Sequence, residues 1–263
     1  MTDIHLHTSI SHDSDEPIEN FIMAAVKRGD GALGFSEHYD YDVYLAGDEI
    51  KLPDLKRYSE QISSARRKFP QMKILQGLEL GYFKDAVPHY RELIKSLPLD
   101  HVILSVHTLP DRGDCYYPKF YEGLTRKEAY SKYLEAVLES VNSDIDFDVV
   151  GHIAYVARYA PYADKMLGYA DFPDLFDEIL KTIIARGKCL EINTSAKGTG
   201  GAFVPGADVV ERYVELGGRD ISFGSDAHTA ARYKDGEGAV LSLLNSLGIT
   251  RTCHFEGRKK VFS

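Results

Sequence analysis

Asp3-Ile-His5-Leu-His7 opens the chain with three polar side chains alternating with two apolar ones. In an extended strand, a period of two places Asp3, His5 and His7 on one face. Two imidazoles one pleat apart can clasp a single metal ion, and a carboxylate nearby can orient a ring through its second nitrogen. An N-terminal strand with incidental histidines is the plain alternative. The rest of the chain repeats the device, however. His12 follows in the next loop, and Glu37-His38, Glu79, His107, His152 and Asp226-Ala-His228 fall at or just past the ends of apolar runs. Seven of the ten histidines occupy such positions. Imidazole mixed with carboxylate, without thiolate, suits zinc, manganese or iron better than magnesium or calcium. The nine candidate ligands are His5, His7, His12, His38, Glu79, His107, His152, Asp226 and His228. They are too many for one ion and suit a cluster in which a carboxylate bridges neighbouring ions.

The elements that must position them alternate in period. Strands are expected at Asp3–His7, Ala32–Ser36, Lys73–Leu80, His101–His107, Asp148–His152, Cys189–Asn193 and Asp220–Ser225. Between them the apolar period moves from two towards 3.6. Helices are expected from Glu16-Pro17 to Gly29, from Pro53 to Pro70, over roughly Ala86–Ser96, and from the capping-box run Thr125-Arg-Lys-Glu128 through Val141. Three more are expected around Leu175–Ile184, Val209–Leu216 and Val240–Leu247. Seven strands alternating with seven helices predict a parallel sheet. An open sheet would spread the candidate ligands along an edge at ~4.8 Å per strand. A closed one gathers every strand C-terminus on one rim. The expectation is an α/β fold, a single distorted TIM-like (β/α)7 barrel over 1–263, with the metal site at the C-terminal rim.

Composition narrows the function classes. The chain has 263 residues, and its net charge of −9 argues against a general nucleic-acid grip, which needs a basic face. Bound metals would still supply local positive charge for a small phosphorylated substrate. Cys115, Cys189 and Cys253 are odd in number and widely spaced, which argues against a disulfide framework or a zinc ribbon. No apolar run approaches the ~20 residues of a membrane span, and the cytoplasm is the expected location.

The ordered set Asp3-Ile-His5-Leu-His7, Ser36-Glu-His38, Glu79, Ser105-Val-His107, Gly151-His152 and Ser225-Asp-Ala-His228 resembles the PHP (polymerase and histidinol phosphatase) superfamily. The resemblance implies a distorted (β/α)7 barrel holding three divalent metals. It assigns His5, His7, Glu79 and Asp226 to one ion. Glu79 would bridge to a second ion with His107 and His152, and His12, His38 and His228 would bind a third. The Gly-His-Ile and Glu-Ile-Asn-Thr-Ser runs are most similar to members that hydrolyse L-histidinol phosphate in histidine biosynthesis. Two positions depart from the pattern: Glu37 stands where many members have Asp, and Ala196-Lys197 where Gly with a nearby Arg is usual.

Such a site would hydrolyse a phosphate monoester. On a formal count, three divalent ions less Glu79, Asp226 and one bridging hydroxide leave roughly three positive charges to attract a phosphate dianion. Metal-bound hydroxide, available because coordination lowers the pKa of water towards ~7, would attack phosphorus in line. Asp226 would orient it, and Asp226 or His228 would pass a proton to the departing alkoxide. Among the βα loops, Arg158 is the first candidate substrate contact, with Lys197 and Tyr117 after it. The same site acting on a nucleotide, a nucleic-acid end or a phosphotyrosyl protein is the alternative, and a non-catalytic metal-binding barrel the next. Asp3 and Glu37 are expected to anchor imidazoles rather than bind metal. Cys189 is expected to be a packing residue, and His89, His101 and His254 structural or solvent-facing.

Overall fold

The structure, a computed structural model, describes residues 1–41, 43, 52–196 and 198–263. Six parallel strands form one curled sheet in the order β1 (Ala32–Tyr39), β2 (Lys73–Gly81), β3 (His101–Ser105), β6 (Val149–Val150), β7 (Cys189–Asn193) and β8 (Ile221–Gly224). β4 (Thr108–Leu109) and β5 (Gly113–Asp114) pair as a small antiparallel ribbon above β3. The expected first strand closes the ring. On one side Asp3 O and Leu6 O accept from Gly34 N and Ser36 N of β1; on the other, Ile4 N and His7 N donate to Phe223 O and Ala227 O. Residues 3–7 divide these bonds between both edges, so they make isolated bridges rather than a regular ladder. Closure is what brings the two ends of the ligand series together.

All seven expected helices are present: α1 (Ile18–Arg28), α2 (Leu55–Lys68), α3 (Val87–Ser96), α4 (Arg126–Val141), α6 (Pro173–Ala185), α7 (Ala207–Glu215) and α8 (Glu237–Ser246). A one-turn α5 (Val156–Tyr159) adds to them. They lay apolar stripes such as Phe21, Ile22 and Ala25 of α1 on the outside of the sheet. Thr125 and Glu128 cap α4 reciprocally, as the sequence pattern predicts. Most strand ends shift by one to three residues from expectation. β3 stops at Ser105 and β6 at Val150, which leaves His107 and His152 just past the sheet, while β1 continues to Tyr39. Among the described residues no helix is long and apolar enough to cross a membrane.

The base of the barrel is closed by a hairpin that periodicity did not reveal, β9 (Cys253–Glu256) and β10 (Lys259–Phe262). Cys253 and Phe255 cap an inner apolar cluster with Ile4, Leu75, Ile103, Val149 and Cys189. Cys189 therefore packs as expected, but its sulfur meets that of Cys253, their Cα atoms 7.4 Å apart. Arg258 at the turn pins the hairpin to the barrel through Asp148, at 2.6 Å.

His101 fills the same end. It lies against Gly77, where an added Cβ would fall 2.1 Å from Nε2. Nε2 lies 3.0 Å from Ile4 O, and since a carbonyl only accepts, Nε2 carries the proton. Burial lowers the pKa of this imidazole to about 4. The unfolded chain, with its histidine near 6.5, therefore binds more protons between these values, and stability falls as pH drops from 6.5 towards 4. The full difference is about 3 kcal/mol. The His101→Gln variant is expected to lose that part of the acid sensitivity, seen as a shallower pH dependence of the urea midpoint between pH 6.5 and 4.5. An unchanged slope would place the acid sensitivity elsewhere.

Candidate metal centre

Strand alternation and ring closure carry the ligand candidates to one point. His5 and His7 reach it from the closing segment, His38 from the end of β1 and Glu79 from β2. His107, His152 and Asp226 follow β3, β6 and β8. Glu79, with no exposed surface, is the hub. Its Oε2 lies 3.2 Å from His5 Nε2, 3.7 Å from His7 Nε2 and 3.0 Å from His38 Nδ1. Its Oε1 lies 3.3 Å from His107 Nε2 and 2.8 Å from His152 Nε2. Asp226 Oδ1 faces His7 Nε2 at 3.3 Å and His5 Nε2 at 4.0 Å. Asp226 has φ of 52°, the left-handed region seldom used by a non-glycine residue, and its N–H donates to His5 O.

The donor atoms fall into trios of the size one cation takes: His5, His7 and Glu79; His5, His152 and Asp226; Glu79, His107 and His152; His7, His38 and His228; and His38, Asp40 and His107. His12 is not in any of these. It stands at the cavity mouth with Nδ1 3.7 Å from Asp40 and is about a third exposed.

Two observations test whether these residues fit divalent cations. Glu191 Oε1 accepts from His5 Nδ1 at 2.5 Å, which aims Nε2 at the Glu79 carboxylate. Among the described residues, His5 Nε2, His7 Nε2 and Glu79 Oε2 are all buried without a hydrogen-bond partner. Lone pairs on such atoms repel unless a proton or a metal cation lies between them. The electrostatics agree. Burial opposes charge on His5, but Glu191, Glu79 and Asp226 outweigh it and hold its pKa well above the usual range. Burial likewise opposes charge on His38 and His107, and their facing carboxylates raise both well above the usual range. Burial, with His38 and His228 beside it, drops His7 to about 3, and burial lowers His152. Burial also works against ionisation of Glu79 and Asp226, yet the histidines around the former and Arg158 with His5 around the latter hold both well below the carboxylate range. The carboxylates draw positive charge into the cluster, which bound metal would supply in place of protons, and the residues fit metal.

Four residues that matter here escaped the sequence reading. Glu191 orients His5 and accepts from His152 N at 2.8 Å. Asp40 lies 3.4 Å from His107 Nδ1 and 3.5 Å from His38 Nδ1. Asp13 meets His228 Nε2 at 2.9 Å and His38 Nε2 at 3.5 Å. Asn193 supports Arg158. Alternation along Glu191-Ile-Asn193 and His38-Tyr-Asp40 was the available signal. The anchoring role expected of Asp3 and Glu37 passes to these carboxylates. Asp3 instead accepts from the backbone N–H groups of His5 and Ser225, and Glu37 from the N–H and hydroxyl groups of Thr8 and Ser11. Both sit one layer below the ligands and fix the loop that carries them. Gly224 leaves room for the anchor, since a Cβ there would meet Glu191 Oε1 at 2.3 Å.

Above the cluster opens a cavity of about 740 Å³. Arg158 lines it, but its guanidinium is committed, donating to Asp226 Oδ2 at 2.9 Å and Asn193 Oδ1 at 2.8 Å. Tyr117 stands half exposed at the mouth. Lys197 lies outside the described residues.

The PHP domain family matches residues 3–195. The chain belongs to the PHP family. Its PHP relatives include the histidinol-phosphatase of Lactococcus lactis subsp. lactis strain IL1403, 31% identical over 98% of this chain and 95% of that protein. A protein named "Probable histidinol-phosphatase" in Clostridium acetobutylicum is also 31% identical, over 97% of this chain and 94% of its own length. The PHP barrel superposes with a TM-score of 0.89 on a crystal structure of the Lactococcus lactis histidinol phosphate phosphatase. That match is 31% identical and covers 99% of this chain and 98% of the other. The crystal holds zinc, L-histidinol and phosphate.

Proposed function

We propose that this chain hydrolyses L-histidinol phosphate to L-histidinol and phosphate in histidine biosynthesis. The observation that carries the reading is the likeness, over nearly the whole chain, to a phosphatase whose crystal holds zinc together with L-histidinol and phosphate, the two products of that reaction. A convergent set of histidines and carboxylates in this chain supports it.

In this reading three divalent ions, of zinc, manganese or iron, are held by His5, His7, Glu79 and Asp226, by Glu79, His107 and His152, and by His12, His38 and His228. Bound divalent ions supply Lewis-acid stabilisation of the phosphoryl oxygens and acidify water. The chain's own groups do the rest. Glu79 fixes the spacing of the centre by meeting five imidazoles. Asp226, with Oδ1 turned to the ligand histidines, would orient the attacking water with Oδ2, which Arg158 holds in place at 2.9 Å. Asp226 or His228 passes a proton to the alkoxide oxygen as its bond to phosphorus breaks. Arg158, Tyr117 and Lys197 are the proposed substrate contacts.

Phosphate release from L-histidinol phosphate, AMP, a sugar phosphate and phosphotyrosine by one preparation tests the reading. The expected result is a kcat/KM preference for L-histidinol phosphate of roughly 100-fold, the scale a few specific contacts supply. A stronger preference for another ester would keep the chemistry and overturn the substrate. Metal binding without turnover would leave a binding barrel.

A further inference from the structure

The cavity is not uniform. Its floor carries the metal-ligand candidates and Arg158, while one wall is aromatic from floor to mouth. Tyr155 packs on His107 and His152 at centroid distances of 5.0 and 5.1 Å. Tyr159 follows at 5.4 Å, Tyr116 at a further 4.8 Å, and Tyr117 at 5.1 Å beyond. Tyr116, Tyr117 and Tyr159 expose 53%, 52% and 38% of their surface, a large apolar outlay for a cavity mouth unless a ligand covers it.

Beside this wall lies Asp114, on the short ribbon strand β5, and it too lines the cavity. Its Oδ1 accepts from Tyr116 N at 2.7 Å, which sets the side chain in place. Every other carboxylate lining the cavity, Asp13, Asp40 and Asp226, has a histidine or arginine partner within 4 Å. Among the described residues Asp114 has none. A carboxylate partly withdrawn from water and left without a cation suits a ligand that brings one. π-faces beside it suit a flat cationic or aromatic group.

We infer that Asp114 and the Tyr155–Tyr159–Tyr116 wall form the subsite for the alcohol half of the substrate. Asp114 pairs with its ammonium group, and the tyrosine faces hold its imidazole. This rests on the reading of the substrate given above and adds how the enzyme tells an amino-alcohol ester from other phosphate monoesters. Asp114 is a specificity residue and takes no part in the bond-breaking step.

The test pairs Asp114→Asn with a substrate change. Wild type and variant are each assayed with L-histidinol phosphate, with its analogue lacking the amino group, and with p-nitrophenyl phosphate. Asparagine keeps an oxygen for Tyr116 N, and bound metal per chain reports an intact centre. For L-histidinol phosphate, kcat/KM is expected to fall about 10- to 100-fold in the variant, mainly through KM, as for a lost hydrogen bond between charged groups. For the analogue and for p-nitrophenyl phosphate it is expected to stay within about twofold, so the two changes are strongly non-additive. An equal loss on all three substrates, or no loss on any, would overturn the inference. If the wild-type protein instead leaves L-histidinol phosphate uncleaved while hydrolysing another ester, the substrate reading itself fails, and the inference falls with it.

Discussion

Asp226→Asn is expected to lower kcat for phosphate release by about 1,000-fold while leaving most of the bound metal in place. The substitution is nearly isosteric, and one side-chain oxygen remains to face His5 and His7 as Oδ1 now does, at 4.0 and 3.3 Å. What disappears is the negative charge that Arg158 clamps at 2.9 Å and that stays ionised despite its burial. An amide neither draws a proton from water nor holds it in one orientation as a carboxylate does. Arg158 would also face an unpaired environment, having only Asn193 left. Elemental analysis beside steady-state kinetics separates the two effects. A variant with full metal and unimpaired turnover would remove Asp226 from the chemistry.

Glu79→Gln is expected to act earlier, on the centre itself, with at least a 100-fold loss of metal affinity and turnover falling with it. Among the described residues Glu79 is the one carboxylate that meets His5, His7, His38, His107 and His152 together, and Ser105 Oγ donates to its Oε1 at 2.6 Å. Its ionised form is what holds positive charge in the middle of the cluster. A glutamine offers one oxygen acceptor and an NH2 that opposes cations, so two neighbouring trios lose their shared ligand. Metal titration followed by calorimetry measures this without reference to catalysis. Wild-type affinity in the variant would refute a bridging role.

Much of this was legible because it obeys short periods. His5 and His7 share a strand face, helix stripes recur at 3.6, and histidines follow apolar runs, so the barrel and the candidate ligands could be placed before any contact was known. The partners of those ligands were harder to find. Glu191 and Asp13 meet their imidazoles only once the fold joins segments up to 215 positions apart, and the alternation along Glu191-Ile-Asn193 and His38-Tyr-Asp40 does not say which imidazole each carboxylate meets. Asp3 and Glu37 were read as anchors for the opposite reason. They neighbour histidines in sequence, yet Asp3 lies one pleat below His5 and Glu37 on the face opposite His38, where they hold backbone N–H and hydroxyl groups. The hairpin at 253–262 escaped because its four-residue strands alternate weakly and no helix follows. Its function, closing the base over Ile4 and Ile103, is a tertiary fact. Arg158 was singled out for phosphate from its charge and loop position; the structure adds that its two terminal nitrogens already hold Asp226 and Asn193.

The most direct test of the account is a metal titration read by catalysis. The protein is stripped by chelation, zinc is returned in steps, and L-histidinol phosphate hydrolysis is followed against equivalents bound. The stripped protein is expected to show no turnover, and activity to rise with occupancy to a plateau at two to three ions per chain. Full activity in metal-free protein, or ions that bind and restore nothing, would contradict it.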